Sequence, residues 1–356
     1  MRVIDRAITV AGLVLIIISP ILCSTDSPLP GCDKKQPCVG QLVCEYMNKR
    51  GVLKSFILTA ETTYPDPMVT LANGSKISSK EIAPVIEEMR TDGQRFYICK
   101  KEPTTLVAPL KSASGDSVGP NDYRSRTWLW DGHFYYFYGS KSKRYATQYA
   151  QASVAPSLRE KFIRMAVSSV TIYTNVDDPR TREWIDNHRT RSVFSPDFCA
   201  LVKIGDDISI RETKETVNGS ACYVVEIGRG SSTYTVWIDP AHGYNIVRAI
   251  YKKHGKVTFK KWDVKFKLFG DVWAPAEYDY QHFDSRGLFS EDRHHYKVIK
   301  LVLNPDHDAL KSFDPNLPEG SLVCISGRDD INERREFTLK HGKVLDNEDN
   351  TVLTIP

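Results

Sequence analysis

Between Tyr234 and Asn304 the chain alternates strand-like runs with tight turns, and this stretch limits what the whole can fold into. TYTVWID, NIVRAIYKK, KVTFKKWDVKFKLF, VWAPAEYDYQHFD and RHHYKVIKLVLN are rich in β-branched and aromatic residues, separated by PAHG, HG, GD and SRG. That spacing predicts an antiparallel β-meander. A meander this long must cover its apolar face with a second sheet, with helices or with a ligand, so what lies on that face decides function.

Upstream, VGQLVCEYMNKR (Val39 to Arg50) has Leu42, Val43, Tyr46 and Met47 at helical spacing, and Gly51 ends it. VLKSFILTAETTY reads as the first strand. SSKE resembles a capping box and predicts a helix over Ser79 to Thr91. QRFYICK resumes the strand pattern, and after a Ser/Gly/Pro-rich loop at Lys111 to Asn121, RSRTWLWDGHFYYFYG reads as a hairpin turning at Asp131-Gly132. The hairpin carries aromatic bulk on both faces, Trp128 and Trp130 among it. Pro156 to Val170 reads as the strongest helix and Asp178 to Thr190 as a further one, together a helical insertion at about 156–190 that covers one sheet face. The tail predicts an extended crossing and a last hairpin.

Met1 to Cys23 is built like a secretory signal peptide, with Arg2 and Arg6 ahead of the apolar run AITVAGLVLIIISPIL and Pro20 near its end. A retained anchor is the alternative, as is acylation of Cys23, although Leu22 stands where a lipoprotein signal has a small residue. Of the eight cysteines, seven follow Cys23, an odd number of which some should pair in an oxidising compartment. Cys199 and Cys222 flank the Asn218-Gly219 turn and are candidates for a cross-strand disulfide. Cys32, Cys38 and Cys44 lack the close pairs of a zinc site. The domains expected are 1–23, signal peptide; 24–50, Cys-containing linker and short helix; 51–304, the main sheet; and 305–356, an extended segment and hairpin.

The 48 basic and 44 acidic side chains nearly balance and form no blocks, so nucleic acid is not an expected partner. No GxSxG elbow, P-loop, GxGxxG, HExxH or EF-hand loop occurs. His294 and His295 are adjacent on a strand and point to opposite faces, which argues against a shared metal even with His282 nearby. The carboxylates Asp177, Asp178, Glu183, Asp186, Asp206 and Asp207 read as solvated turn and cap residues. Asn73 and Asn218 fit glycosylation sequons, though Asn-Gly is also a preferred hairpin turn. Lys252, Lys253, Lys256, Lys260, Lys261, Lys265 and Lys267 read as a solvated outer face, with anionic lipid head groups or acidic partners as a lesser use.

YTVWIDPAHGYNIVRAIYKKHGKVTF resembles the strand-turn-strand signature of the outer-membrane lipoprotein-sorting family, whose earlier hairpin and opening helix the Asp131-Gly132 hairpin and Val39 to Arg50 also resemble. The resemblance implies a mainly β fold with some α: a curved antiparallel sheet, an open half-barrel, with helices covering a concave apolar face that accepts acyl chains in the bacterial periplasm. This chain is longer than the compact carriers. Arg95 and Arg126 both lie in strand-like stretches, so the arginine that holds the lid in some carriers is assigned to neither.

The expected protein is therefore exported to the periplasm or cell envelope, is not an enzyme, needs no metal or cofactor, and binds lipid, lipoprotein acyl chains or another apolar ligand. The ligand-lining residues expected are Val236, Ile238, Phe266, Leu268 and Tyr278, with Trp128 and Trp130 at the mouth. A structural or signalling module contacting an envelope protein partner is the first alternative, and an unrecognised hydrolase the second.

Overall fold

The computed structural model describes residues 37–50, 55–70, 76–103, 123–141, 168–173, 198, 201–202, 205–283, 292–317, 319–326, 336–346, 348 and 350–354. The signal-peptide region, Cys23, Cys32, Cys199, the loop at 111–121 and the carboxylates between 177 and 186 lie outside them, as does the 156–190 stretch apart from 168–173.

Helix α1 (Val39–Arg50) occupies the predicted span. It starts with a backbone reason: Leu42 N–H donates to Cys38 C=O at 3.1 Å, and the Gln41 side chain reaches back to accept from Cys38 N–H at 3.0 Å, which satisfies a donor the first turn leaves open. The strands that follow are β1 (Phe56–Thr63), β2 (Met68–Thr70), β3 (Lys76–Ser78), β4 (Val85–Thr91), β5 (Phe96–Pro103), β6 (Tyr123–Trp130), β7 (Tyr135–Lys141) and β8 (Ser168–Tyr173). The meander comprises β9 (Asp207–Ile210), β10 (Glu215–Val217), β11 (Ser220–Arg229), β12 (Ser232–Asp239), β13 (Asn245–Lys253), β14 (Lys256–Phe269), β15 (Val272–His282) and β16 (Arg293–Leu303). The chain closes with β17 (Leu322–Ser326), β18 (Glu336–Lys340), β19 (Lys343–Leu345) and β20 (Thr351–Thr354).

All but β2 and β3 join one large open sheet that does not close into a barrel. Strand β1 is its hinge, pairing antiparallel with β16 on one side and β4 on the other. From β16 the meander runs back through β15, β14, β13 and β12 to β11, against whose outer edge β9 and β10 both lie. From β4 the sheet continues through β5, β6 and β7 to β8, and there β17 joins in parallel and carries β18 to β20. The register shifts within β1, β12, β13 and twice in β14. Each such bulge adds local twist, which coils the sheet.

The meander turns use the predicted chemistry. Asn218-Gly219 (φ +49° and +83°) and His254-Gly255 (φ +48° and +74°) put both central residues at positive φ, the combination that matches strand twist in a two-residue hairpin. In the PAHG turn, Asp239 is 1% exposed and accepts from Ala241 N–H at 2.9 Å and from His242 Nδ1 at 2.6 Å. Asn245 then bridges to the His242 and Trp273 carbonyls, fixing this turn against β15.

Two expectations are corrected. The helix over Ser79 to Thr91 is a single 3-10 turn, Ser79–Glu81, followed by β4, and Ser78 makes no side-chain cap. Pro84 forces its predecessor out of the helical region, and Val85 and Met89, four apart, share a face in a strand as well as in a helix. Within the expected helical insertion, Ser168–Tyr173 is strand β8.

The apolar groups bury in distinct places. Leu42 and Tyr46 of α1, with Phe198 and Leu201, cover Val225, Ile227, Val236, Ile238, Ile246 and Ala249. At the far end, Phe313, Val323, Phe337, Leu339 and Val344 fold over Leu129 and Tyr136. Cys222 is a fully buried free thiol, so its expected bridge to Cys199 is not formed. No helix among the described residues is long and apolar enough to cross a membrane.

Candidate ligand-binding face

Strand β6 reads YRSRTWLW, and alternation separates its side chains into two sets. Thr127 and Leu129 turn to one side, where Leu129 is buried under the C-terminal strands. Arg124, Arg126, Trp128 and Trp130 turn to the other. Six steps of roughly 3.4 Å, from Arg124 to Trp130, make this row about 20 Å from first to last. It passes from two cations to two indoles.

At the aromatic end the row lies on a floor of Phe56, Leu58, Met89, Phe96, Ile98 and Tyr135, all buried, with Trp128, Trp130, Phe137, Leu301 and Leu303 half-buried against it. Register makes this floor: Phe96 faces Trp130, Ile98 faces Trp128, and Trp128 in turn faces Phe137 with ring centroids 5.7 Å apart. At the cationic end Glu102, its side chain 12% exposed, gathers three partners. Lys100 lies at 2.9 Å, Arg124 donates through Nε (3.0 Å) and Nη2 (2.7 Å), and Arg126 Nη2 donates at 2.7 Å. Burial works against the Glu102 charge, but the Lys100 ammonium and the hydrogen bonds from Lys100, Arg126 and Arg124 hold its pKa down at about 2. Three cations on one carboxylate leave this end of the face positive, and Arg126 Nε is buried with no partner among the described residues.

Between that cluster and β14 runs an aromatic band. His294 stacks on Tyr280 (4.7 Å) and lies 5.0 Å from Tyr64, and Tyr278 stacks on Tyr296 (4.5 Å). Lys261, only 1% exposed, sets its ammonium 3.9 Å from the Tyr278 ring centroid, a desolvated cation over a π face. Burial pulls the His294 pKa down to about 4, so the ring is neutral at neutral pH. Burial likewise pushes Tyr280 up to about 12 and Tyr278 and Tyr296 well up. The Tyr296 hydroxyl is buried without a partner among the described residues.

The seven residues expected to line a site do not converge. Trp128 and Trp130 stand together on the β6 row. Val236 and Ile238 are fully buried beneath α1, in a packed core. Tyr278 sits in the buried aromatic band, and Phe266 is half-buried and stacked on His242 at 4.8 Å. Leu268 shares its side of β14 with buried Val264 and half-buried Phe266, but near the β14–β15 hairpin tip it lies past the packed part of that side and is 48% exposed, not inward as expected. Lys261 is a second correction, buried where a solvated outer lysine was expected.

No protein-family model matches the chain, and no curated protein does. Among solved structures it is similar to a DUF1329 family protein from Desulfovibrio piger at 11% identity and a TM-score of 0.34, over 75% of this chain and 94% of that one. It is also similar to a LolA superfamily protein from Nitrosomonas europaea (11% identity, TM-score 0.35, 74% and 94% covered). A third likeness is to the MucA/MucB complex of Pseudomonas aeruginosa (12% identity, TM-score 0.20, 82% and 72% covered). At these TM-scores the likenesses carry no argument for a function or a site.

Sequence reasoning missed Glu102 and its three cations. The signal lay in two i, i+2 pairs, Lys100 with Glu102 and Arg124 with Arg126, each of which shares a strand face. Joining them needs the β5–β6 register, in which Lys100 faces Arg126 and Glu102 faces Arg124. Adjacent His294 and His295 do diverge as expected, His294 into the aromatic band and His295 onto Asp279 at 2.8 Å.

Proposed function

We propose that this is an exported envelope protein that binds a lipid, an acylated protein or another apolar ligand along the β6 face. The observation that carries the reading is the row Arg124, Arg126, Trp128, Trp130 on one side of one strand, a polar-to-apolar gradient about as long as an extended acyl chain. An acyl chain laid along the two half-buried indoles gains roughly 0.8 kcal/mol per methylene removed from water, while its carboxylate, phosphate or ester meets Arg126 and Lys100. Export rests on the arginines and apolar run of the first 23 residues, and the lipoprotein-sorting resemblance of the meander supports the same compartment.

A fluorescent fatty-acid probe titrated into the mature protein tests this. The wild type takes up the probe, Trp128→Ala weakens it roughly ten-fold, and Arg126→Ala weakens the fatty acid more than a neutral acyl ester. A folded wild type that takes up neither probe contradicts the reading. It would favour instead a structural or signalling module, which the full burial of Val236 and Ile238 in packed core also suits.

A further inference from the structure

We propose that the opposite side of β13 to β15 carries a second, separate site for a small polyhydroxylated anion, a sugar phosphate or sugar acid. Lys260 and Trp262 project from β14 on the side away from Lys261. Their cross-strand partners are Gln281 and Asp279 on β15 and, for Lys260, Ile250 on β13. Arg248 joins them, its guanidinium 4.8 Å from the Trp237 ring centroid. The β10–β11 turn closes the wall: Asn218 reaches across to donate to the Val264 carbonyl at 3.4 Å, holding the hairpin tip over β14. A cleft of about 500 Å³ remains between turn and sheet, within the range of small-molecule sites.

Its charges decide the ligand. The neighbouring carboxylates are already committed: Asp279 to Arg293 and His295, and Glu215 to Arg211 and to the Trp237 indole N–H at 2.8 Å. Among the described residues neither Arg248 nor Lys260 has a carboxylate within salt-bridge distance, and the carboxylate lining the cleft, Asp263, is exposed on the β14 bulge. Arg248, which also acts electrostatically on Glu215, and Lys260 both line this cleft, so an anionic group can sit against them. Asn218 carries its amide to the cleft wall, which suits a hydroxyl, and the Trp262 ring, with the Arg293 guanidinium 5.7 Å from its centroid, suits on its other face the C–H face of a sugar. Asp263 accepts from hydroxyls but repels further negative charge, which disfavours polyphosphates and nucleic acid.

Calorimetric titration of the full mature chain with glucose 6-phosphate, glucuronate, glucose and inorganic phosphate tests the site. Glucose 6-phosphate or glucuronate should bind at least ten-fold tighter than glucose and than phosphate, and Lys260→Gln should weaken that binding about ten-fold. Which of the two sugars binds identifies the anionic group. Lys260 is partly buried and glutamine keeps most of its stem, so the variant should fold, which an unchanged near-UV circular dichroism spectrum verifies. Arg248→Gln should act in the same direction. Equal binding of phosphate and the sugar anions, no binding of either sugar anion, or binding indifferent to Lys260→Gln overturns the proposal. Acyl-probe uptake on the β6 face should be unchanged in the same variant, which keeps the two sites experimentally distinct.

Discussion

Replacing Glu102 by glutamine is expected to cost about 2 kcal/mol of folding stability at neutral pH and almost nothing near pH 2. The folded pKa of Glu102 is depressed from 4.5 to about 2. That difference converts to roughly 3 kcal/mol at 1.36 kcal/mol per pKa unit, reduced here because Lys100 and Arg126 are each over a third exposed and solvent screens them. A depressed carboxylate stabilises the fold fully above its unfolded pKa and loses that contribution as pH falls through the folded one. The gap between wild type and variant should therefore be full above about pH 4.5 and close by about pH 2. Urea melts at a series of pH values measure it. A gap independent of pH would mean that the three cations do not hold Glu102 ionised. The variant also leaves Lys100, Arg124 and Arg126 facing one another without their carboxylate, so fatty-acid uptake should survive or strengthen even as stability falls.

The larger effect is expected at Val236→Asp, which should abolish folding. Val236 is fully buried beneath α1, among Val225, Ile238 and Ala249, and a carboxylate there has no partner to offset its desolvation. Leu268→Asp should change stability by about 0.5 kcal/mol or less, since half of that side chain already meets water. The two sites lie on neighbouring parts of the same meander and carry the same kind of apolar residue. Circular dichroism melts of both variants separate core from surface, and a folded Val236→Asp protein would contradict the packing described here.

What could be read from the sequence was what depends on neighbours along the chain. The α1 span followed from helical spacing and the breaker Gly51, and the meander turns followed from Asn-Gly, His-Gly and Asp-Pro pairs whose φ requirements are local. The β4 segment was misread because a four-residue repeat of apolar positions fits a helix and a strand equally, and the deciding residue was Pro84. Leu268 was misplaced because alternation tells the side of a strand and not how far the packed part of that side extends, and Lys261 was misplaced for a different reason. Strict alternation assumes an unbroken ladder, and β14 breaks its register between Trp262 and Lys265 and again before Phe266.

The candidate site divides along the same line. Trp128 and Trp130 were visible because the hairpin around Asp131 announces its own strands, and the turn forms with Asp131 Oδ1 accepting from His133 and Phe134 N–H at 2.7 Å each. That their row continues into Arg126 and Arg124 was also written in the alternation of β6. That it meets Glu102 was not, because this contact spans more than twenty residues and exists only once β5 and β6 are paired in one register. The aromatic band is harder still, since Tyr64, Tyr280 and His294 come from three separate segments.

Native mass spectrometry of the mature protein, purified from a bacterial periplasm without detergent, tests the central reading most directly. A stoichiometric lipid or acyl species that stays bound in the wild type and is lost from Trp128→Ala is the expected result. A wild-type protein that emerges empty, and stays empty after incubation with fatty acid, would contradict it.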